Sequence, residues 1–279
     1  MPAPKLLLDG RVFVESARWH DGRMWFSDWG TREIVAVDAG GNSEVMARVP
    51  ASLPFCFDWL PDGRLLVVAG PTATLLRQEP DGSLVTHADL SGAGRVFNEI
   101  VVDDRGYAYV NGGDFDPKAG GEGFKPGTVA VVTPGGEVRQ VADGIEFGNG
   151  MAVTADGSTL IVAESHGLRL TAFDIGAGGD LSNRRVWARV DGPPDGICLD
   201  AEGAVWYADV PNMRCVRVRE GGEVLDTVQA DRGCFSCTLG GPDRTTLYIT
   251  AAVWLGMADG ARDGQILTAP APAAGAGHP

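Results

Sequence analysis

The chain has 279 residues, with 23 Lys and Arg against 37 Asp and Glu, giving a formal charge of −14. It has no basic cluster of the kind that neutralises phosphates, which argues against nucleic acid as a partner and leaves a surface that would welcome a cation. The N-terminal MPAPKLLLDG lacks a sustained apolar run and no stretch is long enough to cross a bilayer, so the expectation is a cytoplasmic chain with no membrane partner.

Taken in chain order, the first candidate strand is Lys5–Asp9. After it, one short pattern recurs six times: HDGRMWFSD from His20, PDGRLLVVA from Pro61, DRGYAYVNG from Asp104, ADGSTLIVAE from Ala155, AEGAVWYAD from Ala201 and PDRTTLYITA from Pro242. Glycine accepts the positive φ of a tight turn, so Asp-Gly leading into a run of Val, Ile, Leu and aromatics predicts a β-hairpin. The turn positions are Gly22, Gly63, Gly106, Gly157, Gly203 and the degenerate Arg244, roughly 41 to 51 residues apart, close to the period of a four-stranded propeller blade. Between hairpins there is room for two more strands per repeat, such as RLTAFDI from Arg169 and RRVWARV from Arg184, with turn formers in Ile175–Ser182 between them. No long helical periodicity intervenes. The sequence therefore predicts an all-β, six-bladed β-propeller with four-stranded antiparallel blades, spanning 1–279 as one domain. Gln265–Ala269 and the N-terminal strand would complete the last blade and close the ring. The segment 270–279 (PAPAAGAGHP) is low in complexity and is expected to be a frayed tail.

Four of the repeats place an oxygen-bearing side chain seven or eight positions ahead of the hairpin turn: Glu15, Asn98, Asn149 and Asp195. Equivalent positions in a radial fold face a common axis. Two carboxylates and two amides converging there make a donor set for a hard divalent cation. Asn149 and Asp195 each precede a glycine, so each taken singly is also an ordinary turn residue. Blade topology puts the start of every inner strand and the end of every second strand at one rim. This rim gains apolar walls from Trp29, Phe55, Phe115 and Trp254, suited to part of a small organic substrate, or else simply capping the blades. His166 is the histidine that falls there, placed to touch substrate or to act as acid or base. The glycine-rich stretch 111–127 begins at the same rim and would serve as a substrate-shaping loop or as a plain surface loop. Five cysteines, an odd number, suit reduced thiols. Cys234 and Cys237, three apart in a strand, are expected on opposite faces.

At these residues the chain resembles the SMP-30, gluconolactonase and luciferin-regenerating enzyme family of six-bladed propellers. The likeness runs through VESARWHDGRMWFSD, FNEIVVDDRGYAYV, GNGMAVTADGSTLIVAES and PDGICLDAEGAVWYAD, and so covers essentially the whole chain. The resemblance implies a lactonase-like hydrolase holding one divalent metal ion, calcium, zinc, magnesium or manganese, on Glu15, Asn149 and Asp195. It implies that Asn98 either contacts substrate or water or completes the metal shell. Asp195 is the candidate for the group that orients or deprotonates the attacking water. Sugar-lactone members commonly carry an arginine two positions before this asparagine. Here that position is Val96, with Arg95 one step earlier on the opposite face, which favours a less polar substrate. Phosphotriester hydrolysis, a repurposed lyase or cyclase, and a non-catalytic propeller braced by its cation stay open as alternatives. The oligomeric state is left undetermined.

Overall fold

The computed structural model describes residues 3–113, 125–253 and 260–278. Among them are six four-stranded antiparallel sheets, each running outward from an inner strand. The inner strands are Val14–His20, Phe55–Trp59, Val96–Val102, Gly148–Val153, Pro194–Leu199 and Gly233–Gly240, in blades one to six. The last blade is completed by Gly264–Pro270 and, outermost, by the N-terminal Lys5–Arg11, so the two ends of the chain close the ring as the sequence predicts. No helix among the described residues is long and apolar enough to cross a membrane.

The hairpin turns fall where the glycines predict. Gly22, Gly63, Gly106, Gly157 and Gly203 all have positive φ, and Arg244, at the degenerate sixth position, is held at φ 58°. The strands differ by layer because each inner pair is covered on both sides by neighbouring blades. Leu65–Ala69 and Val205–Asp209 are buried throughout, whereas outermost strands such as Leu181–Arg189 are mainly exposed. Charged residues there, among them Arg184, Arg185 and Glu44, discourage edge-to-edge pairing.

Two expectations are corrected. Residues 270–278 are not frayed; they run beneath the propeller, hydrogen-bonded to hairpin backbone in successive blades. Ala271 N donates to Thr245 O (2.7 Å), Ala201 N to Ala274 O (2.7 Å) and Ala276 N to Leu199 O (3.0 Å), and His278 exchanges hydrogen bonds with Val153. Small Ala and Gly side chains let this segment lie close against those backbones, so its low complexity reflects fit. Secondly, Cys234 and Cys237 share one apolar cluster with Cys198 and Cys215 between blades five and six, because an irregularity between Cys234 and Ser236 shifts the strand's alternation. All five cysteines are free and buried.

Candidate active site in the central tunnel

Five of the six inner strands break register with their neighbour at the same level. The breaks fall between Glu15 and Arg18, Phe97 and Glu99, Gly148 and Met151, Pro194 and Ile197, and Cys234 and Ser236. A β-bulge leaves a residue unpaired and re-aims its side chain. Here the bulged segments contain Asn98, Asn149 and Asp195, with Phe235 in blade six, while Glu15, paired with Ser27, immediately precedes the bulge of blade one. Blade two is the exception. Its ladder runs unbroken from Phe55↔Ala69 to Trp59↔Leu65.

The bulges crowd the inner strands, and glycine makes this possible. A Cβ on Gly150 would lie 2.5 Å from Ile197 N, and one on Gly196 would collide with Ser236 Oγ. Side chains of the second strands satisfy the amides that the bulges free. Asn111 accepts from Glu99 N (3.3 Å) while donating to Asn149 O (2.5 Å), and Thr250 Oγ1 accepts from Ser236 N (2.9 Å). Ser16, inside the first bulge, has φ 57°, a conformation in which a non-glycine residue is strained.

The four polar residues meet at the tunnel mouth. Asn98 Nδ2 donates to Asn149 Oδ1 (2.6 Å), and Asn149 Nδ2 donates to Ser165 Oγ (3.1 Å), which itself donates to Pro194 O (2.7 Å). Both amides are thereby oriented, with Asn149 Oδ1 turned toward blade three. Glu15 is 5 % exposed, whereas Asn98, Asn149 and Asp195 are half-buried, so the set has a closed floor and an open top. Burial, then the negative charges of Asp195 and Glu99, push the Glu15 carboxyl well above its ordinary range. Burial and Glu99 do the same to Asp195.

Glu99 was not legible in the sequence, where it reads as the neighbour of Asn98 on the opposite face. The bulge brings both to the tunnel. Ligand atoms of Glu15, Cys56 and Glu99 lie within 4.8 Å of one another, all three buried. Beneath them Arg18 Nη2 binds Glu99 Oε2 (3.0 Å) and Ile100 O (2.7 Å). Arg18 pairs with Glu99 and is the least of the influences on Glu15, so the mutual repulsion of Glu15, Glu99 and Asp195 is only partly offset in this largely buried site. A divalent cation fits that balance, and the donors above Cys56 are oxygens, as a hard cation prefers.

The other rim residues fall into place around this cluster. Phe13 stacks on Trp29 (centroids 5.5 Å) and meets Phe235 edge-on (4.7 Å), an aromatic wall on the side of blades six and one. Neither Phe13 nor Phe235 is prominent in the sequence, although Phe235 occupies the bulge position of its blade. Phe55 is fully buried in the apolar cluster of blades one and two, and its carbonyl accepts from Trp29 Nε1 (2.6 Å). His166 is exposed at the rim and stacked on Phe147 (4.7 Å). Arg95 is exposed and Val96 half-buried. Phe115, Trp254 and most of the 111–127 stretch lie outside the described residues.

Over 133 residues the chain is 33 % identical to regucalcin of Xenopus laevis, a match covering 45 % of this chain and 44 % of that protein. Its matches span about half the length of such curated relatives. Among solved structures, a luciferin-regenerating enzyme superposes with a TM-score of 0.84 at 20 % identity, covering 99 % of this chain and 98 % of that one. A gluconolactonase from Xanthomonas campestris does so with a TM-score of 0.75 at 22 % identity, covering 96 % and 88 %. These two likenesses are of fold. The model of the SMP-30/Gluconolactonase/LRE-like region matches residues 13–253, and the chain belongs to that family.

Proposed function

We propose that the protein is a hydrolase that opens a lactone or related ester at the tunnel mouth, using one divalent cation held by Glu15, Asn149 and Asp195. The observation that carries this reading is the convergence, at or beside the bulges of separate blades, of carboxylates whose burial and mutual repulsion no protein cation fully offsets. Membership of a family that includes gluconolactonases supports the reaction class.

When bound, a divalent ion supplies Lewis-acid polarisation of the carbonyl and lowers the pKa of a nearby water. The chain's own residues do the rest. Asp195, half-buried and open to the mouth, takes the proton of the attacking water. Asn98 Nδ2, already aimed between blades three and four, orients the lactone or that water. Ser165 keeps the Asn149 amide from flipping by accepting from its Nδ2. Arg18 holds Glu99 at the floor of the cluster, so that Glu99 tunes its charge while Arg18 limits the repulsion. Trp29, Phe13 and Phe235 receive the substrate's apolar portion, and Phe55 assists through the carbonyl that fixes Trp29. With Val96 at the mouth in place of an arginine, the favoured substrate is less polar than a sugar lactone.

The test is a panel of alkyl, aryl and sugar lactones, with an organophosphate beside them, assayed with each candidate ion and after chelation. Metal-dependent opening of apolar lactones, abolished in Asp195→Ala together with weakened metal binding, is the expected result. Full lactonase activity in Asp195→Ala would overturn the assignment of the base. Turnover of the organophosphate alone would move the reading to phosphotriester hydrolysis, and metal-dependent thermal stability without any turnover would reduce it to a binding propeller.

A further inference from the structure

Asn111 lies on the second strand of blade three, Ala108–Gly113, directly opposite Glu99 of the inner strand. The residue is fully buried, and both ends of its amide are engaged. Oδ1 accepts from Glu99 N (3.3 Å) within blade three, and Nδ2 crosses to blade four and donates to Asn149 O (2.5 Å). That carbonyl belongs to the stretch between Gly148 and Met151 where blade four breaks register, so blade three supplies a partner at the point where the ladder is interrupted. Gly148 makes the room. A Cβ there would stand 3.1 Å from Asn111 Cγ and 3.2 Å from its Nδ2.

Holding a bulge does not itself require so long a side chain. In blade six Thr250 occupies the corresponding place, opposite Ser236 in the first pair after the break. Its hydroxyl accepts from Ser236 N (2.9 Å) and donates to Ser236 O (3.2 Å), all within one blade. The amide of Asn111 adds a link across the blade boundary that a hydroxyl on the same backbone is too short to make. Together with the bond from Asn98 Nδ2 to Asn149 Oδ1 (2.6 Å), this link closes a ring of contacts: Asn111 to the Asn149 carbonyl, the Asn149 side chain to that of Asn98, and Asn98 through the adjoining Glu99 N back to Asn111. Asn149 is thus held by backbone and side chain at once, where either bond alone would leave it free to pivot against Asn98.

We propose that Asn111 is a positioning residue of the tunnel site: it sets Asn149, a ligand of the cation, against Asn98, the group that meets lactone or water, and so governs how tightly the ion is held without touching it. This role rests on the metal-dependent reading above and adds to it the frame that keeps residues of two blades in register. Replacing a residue that orients a ligand typically weakens metal binding by about ten- to a hundredfold.

The experiment is titration of the full-length protein and of Asn111→Thr with Co(II), followed by the visible bands of the bound ion and paired with melting curves. The introduced hydroxyl keeps the bond to Glu99 N, as Thr250 keeps its counterpart in blade six, and loses the one to Asn149 O. The expected result is a Kd raised about tenfold, with the bands of the saturated protein shifted because the Asn149 amide is no longer fixed. An Asn111→Thr protein with the parent's Kd and bands, however far its melting temperature falls, would show that Asn111 only supports the fold and would overturn the proposal. Should Asn111→Thr not fold, Asn111→Ser makes the same separation with a smaller side chain and is read in the same way. Co(II) binding that Glu15→Gln leaves unweakened would overturn the metal-centred reading and this role together, whereas a Glu15-dependent site indifferent to Asn111 refutes this role alone.

Discussion

Glu164, at the end of the second strand of blade four, and Glu15, near the start of the inner strand of blade one, are buried acids at the same end of the propeller, yet their surroundings drive them in opposite directions. Burial opposes ionisation of Glu164, but hydrogen bonds from Arg169 (2.8 and 3.1 Å), Glu146 N (2.7 Å) and Thr171 outweigh it and hold the carboxyl below its ordinary range. Arg184 adds a further contact at 3.2 Å. Asp28 and Asp209, at corresponding ends in blades one and five, are likewise tied to Arg11 (3.1 Å) and Arg214 (2.9 Å). Glu15 has Asp195 and Glu99 facing it instead, and its carboxyl is pushed up. The corner acids are complete within the chain and brace strand to strand; on the function proposed above, the tunnel acids are completed by a cation. On that reading, electrostatic surroundings separate the two sets more sharply than burial or position at the rim.

The largest break in the comparison is expected from Glu15→Gln. It keeps the size of the side chain and removes one of two carboxylate ligands, so metal affinity should fall by about a hundredfold or more, with lactone turnover falling in step. Titration with the active ion and steady-state kinetics check both. A variant that bound the ion as tightly as the parent would show that the tunnel acids resemble the corner acids after all. The converse change, Glu164→Gln, should leave metal affinity unaltered and destabilise the fold by about 3 kcal/mol, because it strands Arg169 and Arg184 beside a neutral amide. Chemical denaturation measures that loss, and a drop in metal affinity of similar size would erase the distinction.

The hairpins and ring closure were legible because they rest on local chemistry repeated at a fixed interval, the same interval that sets Glu15, Asn98, Asn149 and Asp195 on inner strands. Arg244 shows the reach of such reasoning, since it keeps the positive φ of the glycines it replaces. What the sequence concealed traces mainly to the bulges. A strand read with period two sends Glu99 away from Asn98 and Cys237 away from Cys234, and an extra residue in the inner strands of blades three and six cancels both inferences. Phe55 was aligned with the mouth by the same assumption, but blade two has no bulge and its ring stays in the apolar interior. The tail was misread for another reason. Alanine and glycine without pattern suggest fraying, yet the hairpin backbones they cover offer the hydrogen bonds that order them.

The smallest effect, and the one that sharpens the comparison most, is in the pH dependence of stability. For Glu15 and Asp195 the folded-state pKa lies above the unfolded one, so their contribution is fully present below the ordinary carboxylate range and is lost as pH rises through the raised values. For Glu164 the folded pKa is depressed, so its contribution is present above the ordinary range and is lost as pH falls through the depressed value. The metal-free protein should accordingly lose melting temperature on both sides of an acidic optimum. Each limb belongs to a different set: Glu15→Gln should flatten the loss toward neutral pH, and Glu164→Gln the loss toward strong acid. A divalent ion at a hundred times its Kd adds about 2.7 kcal/mol and offsets the repulsion that Glu15→Gln relieves, so it should flatten the same limb of the parent. Melting curves from strong acid to neutral pH, with and without the ion, test this directly. If the ion raised stability equally at all pH values, its site would not be the one made by Glu15 and Asp195.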